Sequence, residues 1–252
     1  ANSELNITIE GIGEDATIHG FGFLVRNAKS VEFRNLGIMR AMDDGISLDT
    51  DNSNIWVHHI DVFYGKAGSG DHAKGDGAID VKSNSRFITI DHCHFWDTGK
   101  SSMCGMKNET GPNYITYHHN WFDHSDSRHA RIRTMSVHLW NNFYDGCAKY
   151  GIGATMGSSV FSERNYFRAT KDPILISKQG TDQKGTGTFS GEAGGMVKEC
   201  GSLFTEQGAG SNYTPITYAA YNKSFDFYQV ATREEQVPSF VKSLEGANTY
   251  NN

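Results

Sequence analysis

An eight-residue pattern of apolar and polar positions recurs along the first two thirds of the chain. It reads Val31-Glu32-Phe33-Arg34-Asn35-Leu36-Gly37-Ile38, then Ile55-Trp56-Val57-His58-His59-Ile60-Asp61-Val62, then Ile88-Thr89-Ile90-Asp91-His92-Cys93-His94-Phe95. A shorter copy, Ile7 to Ile12, precedes these, and further copies open at Ile115, Val137 and Val160. Positions one, three, six and eight are mostly apolar or Asn. Alternation over the first three positions is the strand period. The starts are separated by 24, 24, 33, 27, 22 and 23 residues. Such intervals are too short for a propeller blade, and they lack the leucine spacing of a leucine-rich repeat. They fit one coil of a right-handed parallel β-helix, in which each coil lays its short strands on those of the coil before.

Column six of the pattern becomes Asn120, Asn142 and Asn165 in consecutive coils. Stacked amides that bond to one another explain a polar residue at an inward position. Each coil also carries a second short strand before the octet: Gly45–Leu48, Gly77–Val81, Ser102–Cys104, Arg131–Arg133 and Pro173–Ile176. Residues beside these strands should stack on one outer face. The two long intervals mark insertions, and the larger holds Gly65–His72, a loop placed to wall a cleft. The predicted architecture is all-β: one solenoid domain over residues 1–252, with coils from about 5 to 180 and a loop-rich C-terminal region over 181–252. Within that region Thr181–Gly210 reads as a surface loop, and Arg233–Leu244 reads as a short helix packing back on the coils.

Composition agrees, with 28 glycines against 4 prolines, a balance that suits many short strands and tight turns. A net charge of −6 argues against nucleic acid as the partner. No apolar run reaches the length of a membrane span, so no membrane is expected as a partner. No leader pattern is read at Ala1-Asn2-Ser3, which has the look of a processed or truncated start. Cys93, Cys104, Cys147 and Cys200 are widely spaced with no zinc pattern and read as buried thiols, although four cysteines allow three pairings. Eleven histidines include the pairs His58-His59 and His118-His119. Neighbours on a strand point to opposite faces, so a pair is not a natural chelate, and these read as core or surface residues.

Charge is concentrated on the second strands. Asp44 precedes one, Asp76 and Asp80 flank the next, Lys100 precedes the third, and Arg128 and Arg133 bracket the fourth with Arg131 between them. Four consecutive coils thus offer three carboxylates and then a basic cluster. Three oxygen ligands with room for water and substrate describe an open Ca²⁺ site, and the absence of cysteine speaks against zinc. A basic cluster on rigid strands suits an acidic polymer.

These residues resemble the polysaccharide lyase family that contains the pectate lyases. The resemblance is carried by Asn54-Ile55-Trp56-Val57-His58-His59, Ala78-Ile79-Asp80-Val81-Lys82, Tyr117-His118-His119-Asn120 and Arg128-His129-Ala130-Arg131-Ile132-Arg133. It implies a secreted, calcium-dependent enzyme that cleaves α-1,4-linked polygalacturonate by β-elimination to 4,5-unsaturated oligogalacturonides. It further implies that Asp44, Asp76 and Asp80 bind Ca²⁺, that Lys100 and Arg133, with Arg131, bind substrate, and that Arg128 takes the proton. Ala130 stands where the family usually has proline, and His58 stands where it usually has Asp. Asp43 is a rival to Asp44. The family's usual N-terminal cap is not seen, so the open end at Ile7 calls for a further segment or a second chain. Because free arginine stays protonated, Arg128 can act as base only if Ca²⁺, Lys100, Arg131, Arg133 and desolvation disfavour its charge. The alternatives are a polygalacturonase-type hydrolase using Asp43 and Asp44, a pectin lyase without calcium, and a non-catalytic carbohydrate-binding β-helix.

Overall fold

A computed structural model describes residues 2–13, 16–64, 74–106, 108–178, 181–182 and 194–206. These form a right-handed parallel β-solenoid of about seven turns, with no helix among the described residues and so none that could cross a membrane. The eight-residue pattern is its unit. Ile7, Val31, Ile55, Ile88, Ile115, Val137 and Val160 pair in one continuous register from coil to coil. The octet strands make one large sheet that bends in mid-octet. The second strands make an eight-stranded sheet across the core from it.

The bend has a backbone cause. Position five is left-handed in successive coils: Asn35 (φ 53), His59 (φ 52), His92 (φ 51), His119 (φ 55), Asn141 (φ 51) and Arg164 (φ 48). One such residue turns the chain between two strand segments without a loop. Position six then faces inward, and there the asparagine ladder forms. Asn142 Nδ2 donates to Asn165 Oδ1 at 3.0 Å and to Tyr117 O at 3.0 Å, while its Oδ1 accepts from Asn120 N at 3.1 Å and Asn120 Nδ2 at 3.0 Å. Every amide atom of this fully buried side chain is thus bonded, which is what burial of a polar group requires. Position eight holds an aromatic stack, Phe95–Phe122–Tyr144–Phe167–Phe204, with successive ring centres 4.7, 4.9, 4.3 and 5.1 Å apart. Except for the exposed Phe204, these rings share one core with Ile46, Leu48, Ile79, Val81, Ile132 and Ile152 of the eight-stranded sheet.

Several expectations are corrected. The repeat does not fade at 178: Met196–Cys200 and Leu203–Thr205 pair with the coil before them, so part of the expected surface loop is a further coil. Its Ser202 Oγ accepts from Asn165 N at 3.0 Å and is the last rung of the ladder among the described residues. Ile12 is not at an inward position; it is exposed, and Thr17–His19 takes the place of the first octet's second half against Gly37–Met39. All four cysteines are free thiols, but Cys200 is exposed whereas the other three are buried. The loop Gly65–His72 and the expected helix Arg233–Leu244 lie outside the described residues.

Candidate functional site

The eight-stranded sheet carries the charged residues on its outer face. Asp44 sits two residues before the strand Ile46–Thr50, and Asp80 lies mid-strand in Ile79–Val81, paired with Ser47. Lys100 opens Lys100–Cys104, and Ser127–Arg133 follows with Arg128, Arg131 and Arg133. The register between these two strands runs Lys100 to Ser127 and Ser102 to His129, then slips so that Met103 meets Arg131. The extra residue is Ala130, which is fully buried. This bulge re-aims the residues around it, and Arg128 stands beside it at φ 64.

The carboxylates and cations expected from the sequence come together. Asp44 Oδ1 accepts from Gly77 N at 2.8 Å, and Asp80 Oδ1 accepts from Met103 N at 2.8 Å. Lys82 Nζ donates to Asp44 and lies 3.3 Å from Asp80 Oδ2. Lys100 Nζ donates to Asp76 Oδ1 at 2.5 Å. The sulfur of Met103 lies 3.9 Å from Arg128 Nη1 and 3.7 Å from Arg133 Nη1, so the two guanidinium groups flank one thioether. Gly77 has no room for a side chain, since a Cβ there would stand 2.3 Å from Asp80 Oδ1.

Electrostatics follow from this packing. Burial, then the charge of Asp44, pushes the Asp80 carboxyl up to about 6. Burial also raises that of Asp76, but Lys100 outweighs it and holds the group below the ordinary carboxylate range. Lys82 is drawn the other way. Burial disfavours its charge, yet Asp80 and Asp44 hold it well above the usual lysine value. Tyr64 is buried beside the cluster, its hydroxyl without a hydrogen-bond partner among the described residues. Burial and the charges of Asp44, Asp80, Asp76 and Asp43 all oppose its ionisation.

The donor set suits a hard divalent cation. Carboxylate oxygens of Asp43, Asp44 and Asp76 lie within 4.8 Å of one another, and an all-oxygen cluster with two solvent-facing members fits a calcium-type ion. Asp80 adjoins this cluster through Lys82, and an ion there would relieve its disfavoured charge. Asp43 and Asp44 both belong to this cluster. Sequence reasoning assigned no role to Lys82, Met103 or Tyr64. Lys82 was within reach, because residues two apart on a strand share a face and Asp80 was already placed. A cleft of about 310 Å³ continues from Asp43, Asp44 and Lys82 to Arg26 and Asp49. A larger groove, about 640 Å³, lies on the other sheet among Tyr114, Val137, Phe161 and Val197; it is apolar and holds none of this chemistry.

The sequence matches the profile of a family described as pectate lyase over residues 1–233. A pectate trisaccharide-lyase of Bacillus licheniformis is 32% identical over 174 residues, covering 68% of this chain and 50% of the relative. Pectate lyase A of Emericella nidulans is 32% identical over 184 residues, covering 69% and 55%. The chain thus spans about half the length of these relatives. Among solved structures, a pectate lyase from Bacillus sp. N165 in complex with trigalacturonate aligns with a TM-score of 0.67 at 25% identity, over 92% of this chain and 75% of that one. Pectate lyase II of Xanthomonas campestris aligns with a TM-score of 0.68 at 24% identity, over 82% and 63%, a likeness of fold.

Proposed function

The chain belongs to the pectate lyase family, and from that premise we propose that it cleaves α-1,4-linked polygalacturonate by calcium-dependent β-elimination, leaving 4,5-unsaturated oligogalacturonides. The observation that carries the proposal is the single row of Asp43, Asp44, Asp76 and Asp80 leading into Lys100, Arg128, Arg131 and Arg133 on one sheet face. The bound trigalacturonate of the Bacillus sp. N165 enzyme supports the substrate class. A polyanionic polysaccharide does not cross membranes, which supports a secreted protein.

In this reading Asp44, Asp76 and Asp80, with Asp43 beside them, would hold the ion at the uronate-binding face. When bound, calcium neutralises a uronate carboxylate and stabilises the charge developing on its oxygens. Lys100, Arg131 and Arg133 hold neighbouring carboxylates, the arginines with their two-pronged geometry. Arg128 removes the C5 proton. The neutral guanidine of Arg128 accepts that proton, the C5–H electron pair becomes the C4–C5 double bond, and the C4–O bond breaks with its pair going to the departing glycosidic oxygen, which takes a proton from water. Arg128 is close enough to the acidic cluster for its charge to act on both Asp76 and Asp80. Hydrolysis by Asp43 and Asp44 is less well supported, because it leaves the basic row of Lys100, Arg128 and Arg133 without a role.

The test is polygalacturonate incubated with the protein, with Ca²⁺ or with chelator, followed by near-ultraviolet absorbance. A rise only with Ca²⁺ is expected. New reducing ends without that absorbance would mean hydrolysis, and no product in either sample would point to a binding module.

A further inference from the structure

The corner of the large sheet holds a histidine array that the proposed chemistry does not use. Because position five is left-handed, its side chain turns toward that of position four rather than to the opposite face. The pairs read from the sequence as pointing apart therefore converge. His58 Nδ1 and His59 Nδ1 are 2.8 Å apart, and so are His118 Nδ1 and His119 Nδ1. The coil between them supplies Asp91 and His92, with His92 Nδ1 2.6 Å from Asp91 Oδ2. Rings of His59, His92 and His119 stack at 5.1 Å, tilted by only 2° and 3°. Trp56 Nε1 donates to Asp91 Oδ1 at 2.5 Å, and Trp140 lies 4.7 Å from His118 and 4.8 Å from His119, so two indoles wall the array.

One ligand atom each of Asp91, His92 and His118 lie within 4.8 Å of one another. Opposed ligands on a first-row ion stand about 4.2 Å apart, twice a metal–nitrogen bond, so the three ligand atoms are gathered within the reach of one ion. The 2.8 Å between His118 Nδ1 and His119 Nδ1 is one N–H···N hydrogen bond, which holds the pair in place with one ring as acceptor. His92 keeps 27% of its side chain exposed, which leaves an entry path. We infer that Asp91, His92 and His118, with His119 orienting His118, form a binding site for a divalent transition-metal ion that takes imidazole ligands, such as Cu²⁺, on the sheet corner and separate from the carboxylate row. Such an ion clips two successive coils together.

The test uses chelator-stripped full-length chain and Cu²⁺ alone. Electron paramagnetic resonance of the wild type should show coupling to at least two nitrogens, which the carboxylate row cannot supply. Calorimetric titration should give one site that weakens at least about tenfold in His92→Asn and His119→Asn, since even outer-shell changes cost that much. Asparagine tolerates the left-handed backbone at both positions. His19→Asn, outside the array, should bind as the wild type does. Fewer than two coupled nitrogens in the wild type would overturn the inference whatever the variants do. So would a folded His92→Asn/His119→Asn double variant that binds Cu²⁺ undiminished.

Discussion

His129 lies beneath the basic row and should make the fold acid-labile. Its ring is fully buried, Nδ1 donates to Tyr150 O at 2.7 Å, and Nε2 has no partner among the described residues. Burial pushes its pKa down to about 4 from an ordinary 6.5. Between those values the unfolded chain binds a proton that the native ring refuses, so stability falls as pH drops from 6.5 toward 4. At 1.36 kcal/mol per pH unit the whole loss is about 3.4 kcal/mol, of which about 2 kcal/mol is already felt at pH 5. His129→Asn keeps an N–H donor near the Nδ1 position and cannot ionise. It leaves part of the ring's space empty, costing about 1–2 kcal/mol at any pH. The two stability curves should therefore cross. In thermal melts followed by circular dichroism, with chelator present, the variant should melt below the wild type at pH 8 and match or exceed it at pH 5. At about 2–4 °C per kcal/mol for a chain of this length, the gap should change by about 4–8 °C between the two pH values. A gap of the same size at both would refute the assignment of a neutral buried ring at His129.

Arg128→Lys should lower the eliminative rate about 10²–10⁴-fold, the usual worth of a positioned proton acceptor, with the melting temperature unchanged. The wild-type rate should peak at alkaline pH, and a peak below neutrality would count against Arg128 as base. Asp76→Asn should raise the Ca²⁺ needed for half-maximal activity about tenfold or more, as titrated from chelated protein. Asn142→Leu removes four side-chain hydrogen bonds and strands the partner amide of Asn120 in the core. It should cost about 3–6 kcal/mol in denaturant titration, whereas a loss under 1 kcal/mol would mean that the ladder is ornamental.

The fold was legible where burial is periodic. One register column from Ile7 to Val160 and an amide ladder at Asn120, Asn142 and Asn165 could be read because inward positions recur at fixed places in every octet. The last described coil escaped notice because its position three is Glu199 and its position six Ser202, which erases the apolar signature while the backbone pairing persists. The charged row was legible because strand position fixes which face a residue takes. Met103 joins it through a contact between coils, which no single stretch of sequence displays, whereas Lys82 could have been read from its spacing to Asp80. The histidine pairs misled because alternation was assumed to hold across a residue that the fold sets left-handed.

The left-handed column has an evolutionary consequence. The corner is made by a backbone angle, so the side chain standing there is released from any duty in turning the chain. Along one edge the molecule shows Asn35, His59, His92, His119, Asn141 and Arg164 in succession: amide, imidazole and guanidinium, changed from rung to rung while the rungs stay aligned. Drift can try new chemistry on that rail one coil at a time, leaving both the interior and the opposite, charged face untouched. A solenoid of this kind is thus a scaffold with a spare edge, on which a second trait can arise without competing with the first.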